Sequence, residues 1–102
     1  MANIIKGTTP TFKKTFNTVA VTDISAAYLS VKKGSGDTVL EKALSDATTG
    51  TNYIAWKLTQ EETLALGDRI SVMVNWKLSD GTRGATKKQE YFLETNYKNE
   101  VI

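Results

Sequence analysis

Cysteine and histidine are both missing from the 102 residues. Without cysteine there is no disulfide framework, no thiolate metal site and no cysteine nucleophile. Its absence also fits a protein made in a reducing compartment. Without histidine the chain lacks the commonest general base near neutral pH and the commonest metal ligand. Charge of neither sign dominates. Thirteen Lys and Arg against eleven Asp and Glu leave a net +2, too little to signal a nucleic acid or an acidic partner. No apolar run approaches the roughly 20 residues that span a bilayer. The start, Met1-Ala2-Asn3-Ile4-Ile5-Lys6, lacks the charged segment, apolar stretch and cleavage site of a secretory signal. These absences set the expected location at the cytoplasm of the producing cell, or an assembly built there.

What remains is an ordinary globular composition, with 40% hydrophobic and 24% charged residues. The length suits one domain, residues 1–102, around one core. Alternation with a period of two runs through the chain. In the segment from Ile70 to Leu78, the residues Ile70, Val72, Val74, Trp76 and Leu78 share one face. Ser71, Asn75 and Lys77 share the other, which is the pattern of a half-buried strand. Trp76 is thereby expected in the core, where truncation to alanine costs about 3–5 kcal/mol. Asp80-Gly81 follows as a hairpin turn. The return strand is expected from near Arg83 to Leu93, with its polar middle, Thr86 to Glu90, exposed or bulged.

Shorter strands are expected at Ala27–Val31, Thr38–Ala43 and Tyr53–Leu58, and Phe12 and Phe16 share a face of another. The loop Gly34-Ser35-Gly36-Asp37 separates two of them. Ile4 and Ile5 form a short strand before Pro10. One segment reads as helical. Thr59 followed three residues later by Glu62 is a capping box, and Gly67 ends the turn. About seven short strands punctuated by turn residues imply an all-β, immunoglobulin-like antiparallel β-sandwich with one short helical corner.

No catalytic, cofactor-binding or metal-binding set stands out. Glu61 and Glu62 are adjacent, and helix neighbours diverge rather than face each other. Helix capping and the helix dipole account for them. Asp37, Asp46, Asp68 and Asp80 are scattered over turns, without the converging oxygens that calcium requires. Gly34-Ser35-Gly36 is too short for a phosphate cradle. The pairs Lys13-Lys14, Lys32-Lys33 and Lys87-Lys88 send one lysine to each face of a strand, as edge-guarding lysines do. Tyr28, Tyr53 and Met73 fall on outward phases. Exposed tyrosine and methionine suit contact surfaces, so these three are the candidate interaction residues.

The opening Ile4-Ile5-Lys6-Gly7-Thr8-Thr9-Pro10-Thr11 resembles the start of small proteins from tail-gene regions of phages and prophages of Gram-positive bacteria. The stretch Leu58 to Leu64, Gly67, the strand to Trp76 and the Asp80-Gly81 hairpin resemble the same group. The pattern is similar, more distantly, to the immunoglobulin-like N-terminal domain of phage baseplate upper proteins. The chain ends at Ile102, without the receptor-binding or connector extension of the latter. The resemblance implies a non-catalytic structural protein of a tail or baseplate, acting through other phage structural proteins or self-association. No small-molecule substrate, nucleic acid or membrane partner is expected, and the resemblance implies a place in the host cytoplasm during assembly and then in the virion tail. A carbohydrate-binding module using Tyr28 or Tyr53 is the alternative.

Overall fold

The computed structural model describes residues 2–34 and 36–102, with Ala2 described by its main chain alone. Met1 and Ser35, which belong to the expected chain start and the expected 34–37 loop, lie outside the described residues. Two ten-residue strands, β3 (Ile24–Lys33) and β7 (Arg69–Leu78), run antiparallel through the middle of the larger sheet, with Leu29 opposite Val74 and Val31 opposite Val72. Their alternation sends Ala27, Leu29 and Val31, and Ile70, Val72 and Val74, to one buried face. β4 (Thr38–Ala43) adds to β3. β8 (Arg83–Ala85) and β9 (Gln89–Glu94) add to β7. β1 (Ala2–Ile5) adds to β9, making six strands.

The smaller sheet has three strands in the order β2 (Thr11–Thr15), β6 (Tyr53–Lys57), β5 (Thr48–Thr49). Its inner side chains Phe16, Ile54 and Trp56 close the core against the larger sheet. Trp56 is fully buried, and its indole N–H donates to the Ala43 carbonyl at 2.9 Å. The result is an all-β sandwich with a small helix. Its strands divide as in the immunoglobulin plan: β2, β6 and β5 stand where B, E and D stand, and β3, β4, β7 and β9 where C, C′, F and G stand.

The sequence pattern predicts antiparallel sheets throughout, and one pairing departs from it. β1 pairs with β9 in parallel, Ile4 beside Leu93, and both side chains point into the core. The chain then crosses between sheets over residues 6–10. Gly7, at φ 79°, makes the bend that a side chain would strain. A first strand that crosses in this way runs alongside the last strand in the same direction.

The helical corner is α1 (Gln60–Leu64), five residues between β6 and β7. The expected capping box is present: the Thr59 hydroxyl accepts from Glu62 N–H at 3.2 Å, and the Glu62 carboxylate accepts from Thr59 N–H at 2.8 Å. So short a helix has no stability of its own, and the anchor is Thr63. This residue is fully buried. Its hydroxyl accepts from Gly7 N–H at 3.1 Å and lies 2.8 Å from the Thr8 carbonyl, to which it donates. Lys42 on β4 reaches Glu62 at 3.0 Å and binds the corner to the larger sheet. Burial raises the Glu62 pKa, but the Thr59 N–H bond and the Lys42 ammonium outweigh it and hold the carboxyl below its ordinary value.

Trp76 departs from its expected place. It lies on the inner side of β7 but is only half-buried. Trp76 makes a T-shaped contact with Phe16 at 5.1 Å between ring centroids, and on its β8 side the residue opposite is Gly84, which has no side chain to cover it. Its ring covers Gly84, where an added Cβ would approach to 2.5 Å. After the turn at Gly81 the return strand breaks at residues 86–88, within the polar stretch, and resumes at Gln89.

Three outcomes follow from this packing. Thr63→Val keeps the shape and removes the hydroxyl. It leaves the Gly7 and Thr8 main-chain groups without that partner and should cost about 2–3 kcal/mol by urea denaturation, with Thr63→Ser recovering most of it. Trp56→Ala should cost about 3–5 kcal/mol, whereas half-buried Trp76→Ala should cost about 2; equal losses would contradict the burial difference. The Glu62 carboxyl titrates below its unfolded value, so its contribution is present above the unfolded pKa and lost as pH falls through the folded one. Thermal melts should therefore show Glu62→Gln less stable than the parent at pH 7, with the gap closing on acidification below about pH 4.

Candidate interaction surface

The buried alternation of β3 and β7 dictates what stands on the other side of the larger sheet. Leu29 points in, so Tyr28 and Ser30 point out; Val72 and Val74 point in, so Met73 and Asn75 point out. Register brings them together. Tyr28 lies opposite Asn75, and Ser30 opposite Met73, which makes Tyr28 and Met73 diagonal neighbours across the pair. Tyr28 is 43% exposed, and Met73 is half-buried among its neighbours. Two shallow depressions meet at Asn75. One, of about 240 Å³, is bordered by Tyr28 and Arg83, and the other, of about 310 Å³, by Met73, Ser71 and Lys88.

Two apolar residues extend the same face. Phe92 on β9 lies opposite Arg69, and Ile5 on β1 lies opposite Glu94. Both are 46% exposed. Their neighbours Tyr91, Leu93 and Ile4 point toward the core, so Phe92 and Ile5 must point out. A charged row separates Phe92 and Ile5 from Tyr28 and Met73, since Lys32, Ser71 and Glu90 lie side by side between them. Arg69 donates to Glu90 at 2.9 Å, and Lys88 lies 3.5 Å from the same carboxylate. The Arg69 hydrogen bond and charge, with help from Lys88, hold Glu90 below its usual value.

Tyr53 stands elsewhere. It is on β6, on the outer side of the smaller sheet, opposite Thr15. Its ring lies directly on Gly50, where a Cβ would fall inside it, and the Lys13 ammonium sits 4.4 Å above the ring centre. Tyr28 and Met73 thus share one face, while Tyr53 is on the opposite face and covered. One platform cannot include both tyrosines. The residues that sequence patterning missed, Ile5 and Phe92, carried a signal. In Tyr91-Phe92-Leu93, three successive large apolar residues on a strand cannot all point inward.

The turn carboxylates have local roles. Asp80 accepts from Thr82 N–H at 2.8 Å, and that main-chain bond holds its carboxyl below the ordinary value. Asp46 accepts from Ala43 N–H at 3.1 Å, and Asp68 pairs with Lys6 at 3.1 Å. Tyr91, packed edge-on against Phe12 at 5.5 Å, has its pKa raised by burial. Among the described residues no three of Asp, Glu, His or Cys are grouped so as to hold a metal ion, and no helix is long and apolar enough to cross a membrane. Comparison with known protein families, with curated proteins and with solved structures found no match.

Proposed function

We propose that this chain is a non-catalytic structural module of a phage or prophage tail or baseplate, working by protein–protein contact through the outer face of its larger sheet. The observation that carries the contact role is the placement of Ile5, Tyr28 and Phe92, all more than 40% exposed, on one face together with Met73. Aromatic residues, methionine and arginine are the types that enrich contact surfaces, and here two apolar pairs flank the charged row of Lys32 and Glu90. The resemblance of the Ile4–Thr11 opening to tail-region proteins supports the assignment to a phage assembly. A partner seated on this face meets rigid strands, so little ordering cost opposes binding.

Mass spectrometry of induced particles and their assembly intermediates tests the assignment. The chain is expected in one or both, and its absence from both would overturn it. For the surface itself, Tyr28→Ser combined with Phe92→Ser should leave the melting temperature nearly unchanged, since exposed substitutions usually stay within about 0.5 kcal/mol. The same variant should be lost from the assembly. Normal incorporation of a folded double variant would rule this face out.

A further inference from the structure

The smaller sheet is incomplete on one side. β2 pairs with β6 and with no other strand among the described residues. The place beside it, which the immunoglobulin plan fills with a first strand, is open because β1 has gone to β9. The hydrogen-bond phase of this edge can be read directly. Leu58 N–H donates to Pro10 O at 2.9 Å and Phe16 N–H donates to Asn52 O at 2.7 Å. In the same register Phe12 meets Trp56 and Lys14 meets Ile54. Antiparallel pairs alternate between bonded and non-bonded, so the even-numbered residues of β2 bond to β6. Thr11, Lys13 and Thr15 therefore turn their N–H and C=O groups outward, as a template for another strand.

A groove runs beside this edge, between the two sheets, with a volume of about 580 Å³. Its apolar floor is Phe12, Val72, Val74 and Tyr91. The groove is bordered by Lys13, whose ammonium turns to the outer side over Tyr53, and by Lys14 and Lys87, and no carboxylate lines it. These three lysines form no ion pair among the described residues. Lys14 instead sits 5.4 Å over the rings of Phe16 and Trp76.

We infer that the β2 edge and its groove form an acceptor site for an extended acidic peptide strand of another protein, which becomes the fourth strand of the smaller sheet. Main-chain bonding to Thr11, Lys13 and Thr15 supplies the attachment, as in other cases of strand addition. Residues directly opposite each other share a face. The incoming residue opposite Phe12 therefore enters the groove and favours an apolar side chain. The residue opposite Lys13 lies on the outer side, where Lys13 favours a carboxylate. The lysines also exclude the simplest competitor. Two copies pairing antiparallel about the central residue of their β2 strands would set Lys13 against Lys13, and like charges directly opposite are destabilising. This site is separate from the Tyr28 face and does not depend on it.

The probe is a capped synthetic heptapeptide alternating glutamate and valine, followed by amide NMR of the full chain. Binding should shift the Thr11, Lys13 and Thr15 amides and slow their exchange with solvent. Lys13→Glu with Lys14→Glu should weaken it at least tenfold. Thr15→Pro removes one outward N–H without touching the bonds to β6, a change that edge strands tolerate, and should weaken it similarly. A peptide N-methylated on the edge facing β2 tests the main-chain bonds without altering the protein, and should not bind. Equal binding of that peptide, or of a lysine–valine version, would overturn the proposal. So would shifts confined to the Tyr28 and Phe92 face, or no shift at millimolar peptide. A β2-to-β2 dimer in sedimentation that excludes the peptide would overturn it too.

Discussion

The buried hydroxyl of Thr63 fixes the arrangement on which the other features depend. The crossing between sheets at residues 6–10 has no regular structure of its own to hold it. The corner helix is too short to persist without tertiary support. Each holds the other through one side chain, which serves Gly7 N–H and the Thr8 carbonyl from inside α1. A buried hydroxyl so placed is worth more than a surface hydrogen bond, because its loss leaves main-chain groups in a dry site without partners. With the crossing fixed, β1 is delivered to β9 and β2 to β6. The parallel pair and the open place beside β2 are two results of this one constraint.

Much of this was legible in the sequence, and the reasons differ from element to element. β7 and the helical corner were readable because each rests on local physics: a period-two alternation over nine residues, and a capping box closed within four. The Asp80-Gly81 turn belongs with them, since Gly81 needs a positive φ of 92° wherever the rest of the chain goes. Trp76 is only half-buried although its phase points inward: alternation reports the face of a strand, not which neighbours flank it, and here one of them is Gly84 on the three-residue β8. The two-residue strand β5 leaves no signal in the sequence, because two threonines carry no period.

The candidate contact face was half legible for a related reason. Tyr28 and Met73 stand out because their neighbours are polar, so the outward phase is plain. Ile5 and Phe92 are hidden within apolar runs, where only the partner strand decides which residue points out. Tyr53 has the same outward phase as Tyr28, yet it belongs to the other sheet and lies under Lys13. Strand phase gives inside against outside; which of two outsides requires the topology. That topology depends on residues 6–10, where neither periodicity nor composition announces that β1 and β2 join different sheets.

The edge strands β1, β2, β4 and β5 show unequal protection, and the inequality has a physical logic. β5 is only two residues long, so it offers little to pair with. The β3–β4 pair is irregular between Val31 and Lys32, and Lys42 on β4 is committed to Glu62. β1 is short, and its chain turns away directly at Gly7. β2 is different: five regular residues, with outward main-chain groups and an apolar groove alongside. Its protection is Lys13 and Lys14 alone. Charge is a selective guard, because it repels strands of like sign, including a second copy of this chain, and admits strands of opposite sign. Length and bulges exclude every strand alike. That the longest regular edge of the smaller sheet is guarded only by charge is what distinguishes a docking edge from one that is merely kept soluble.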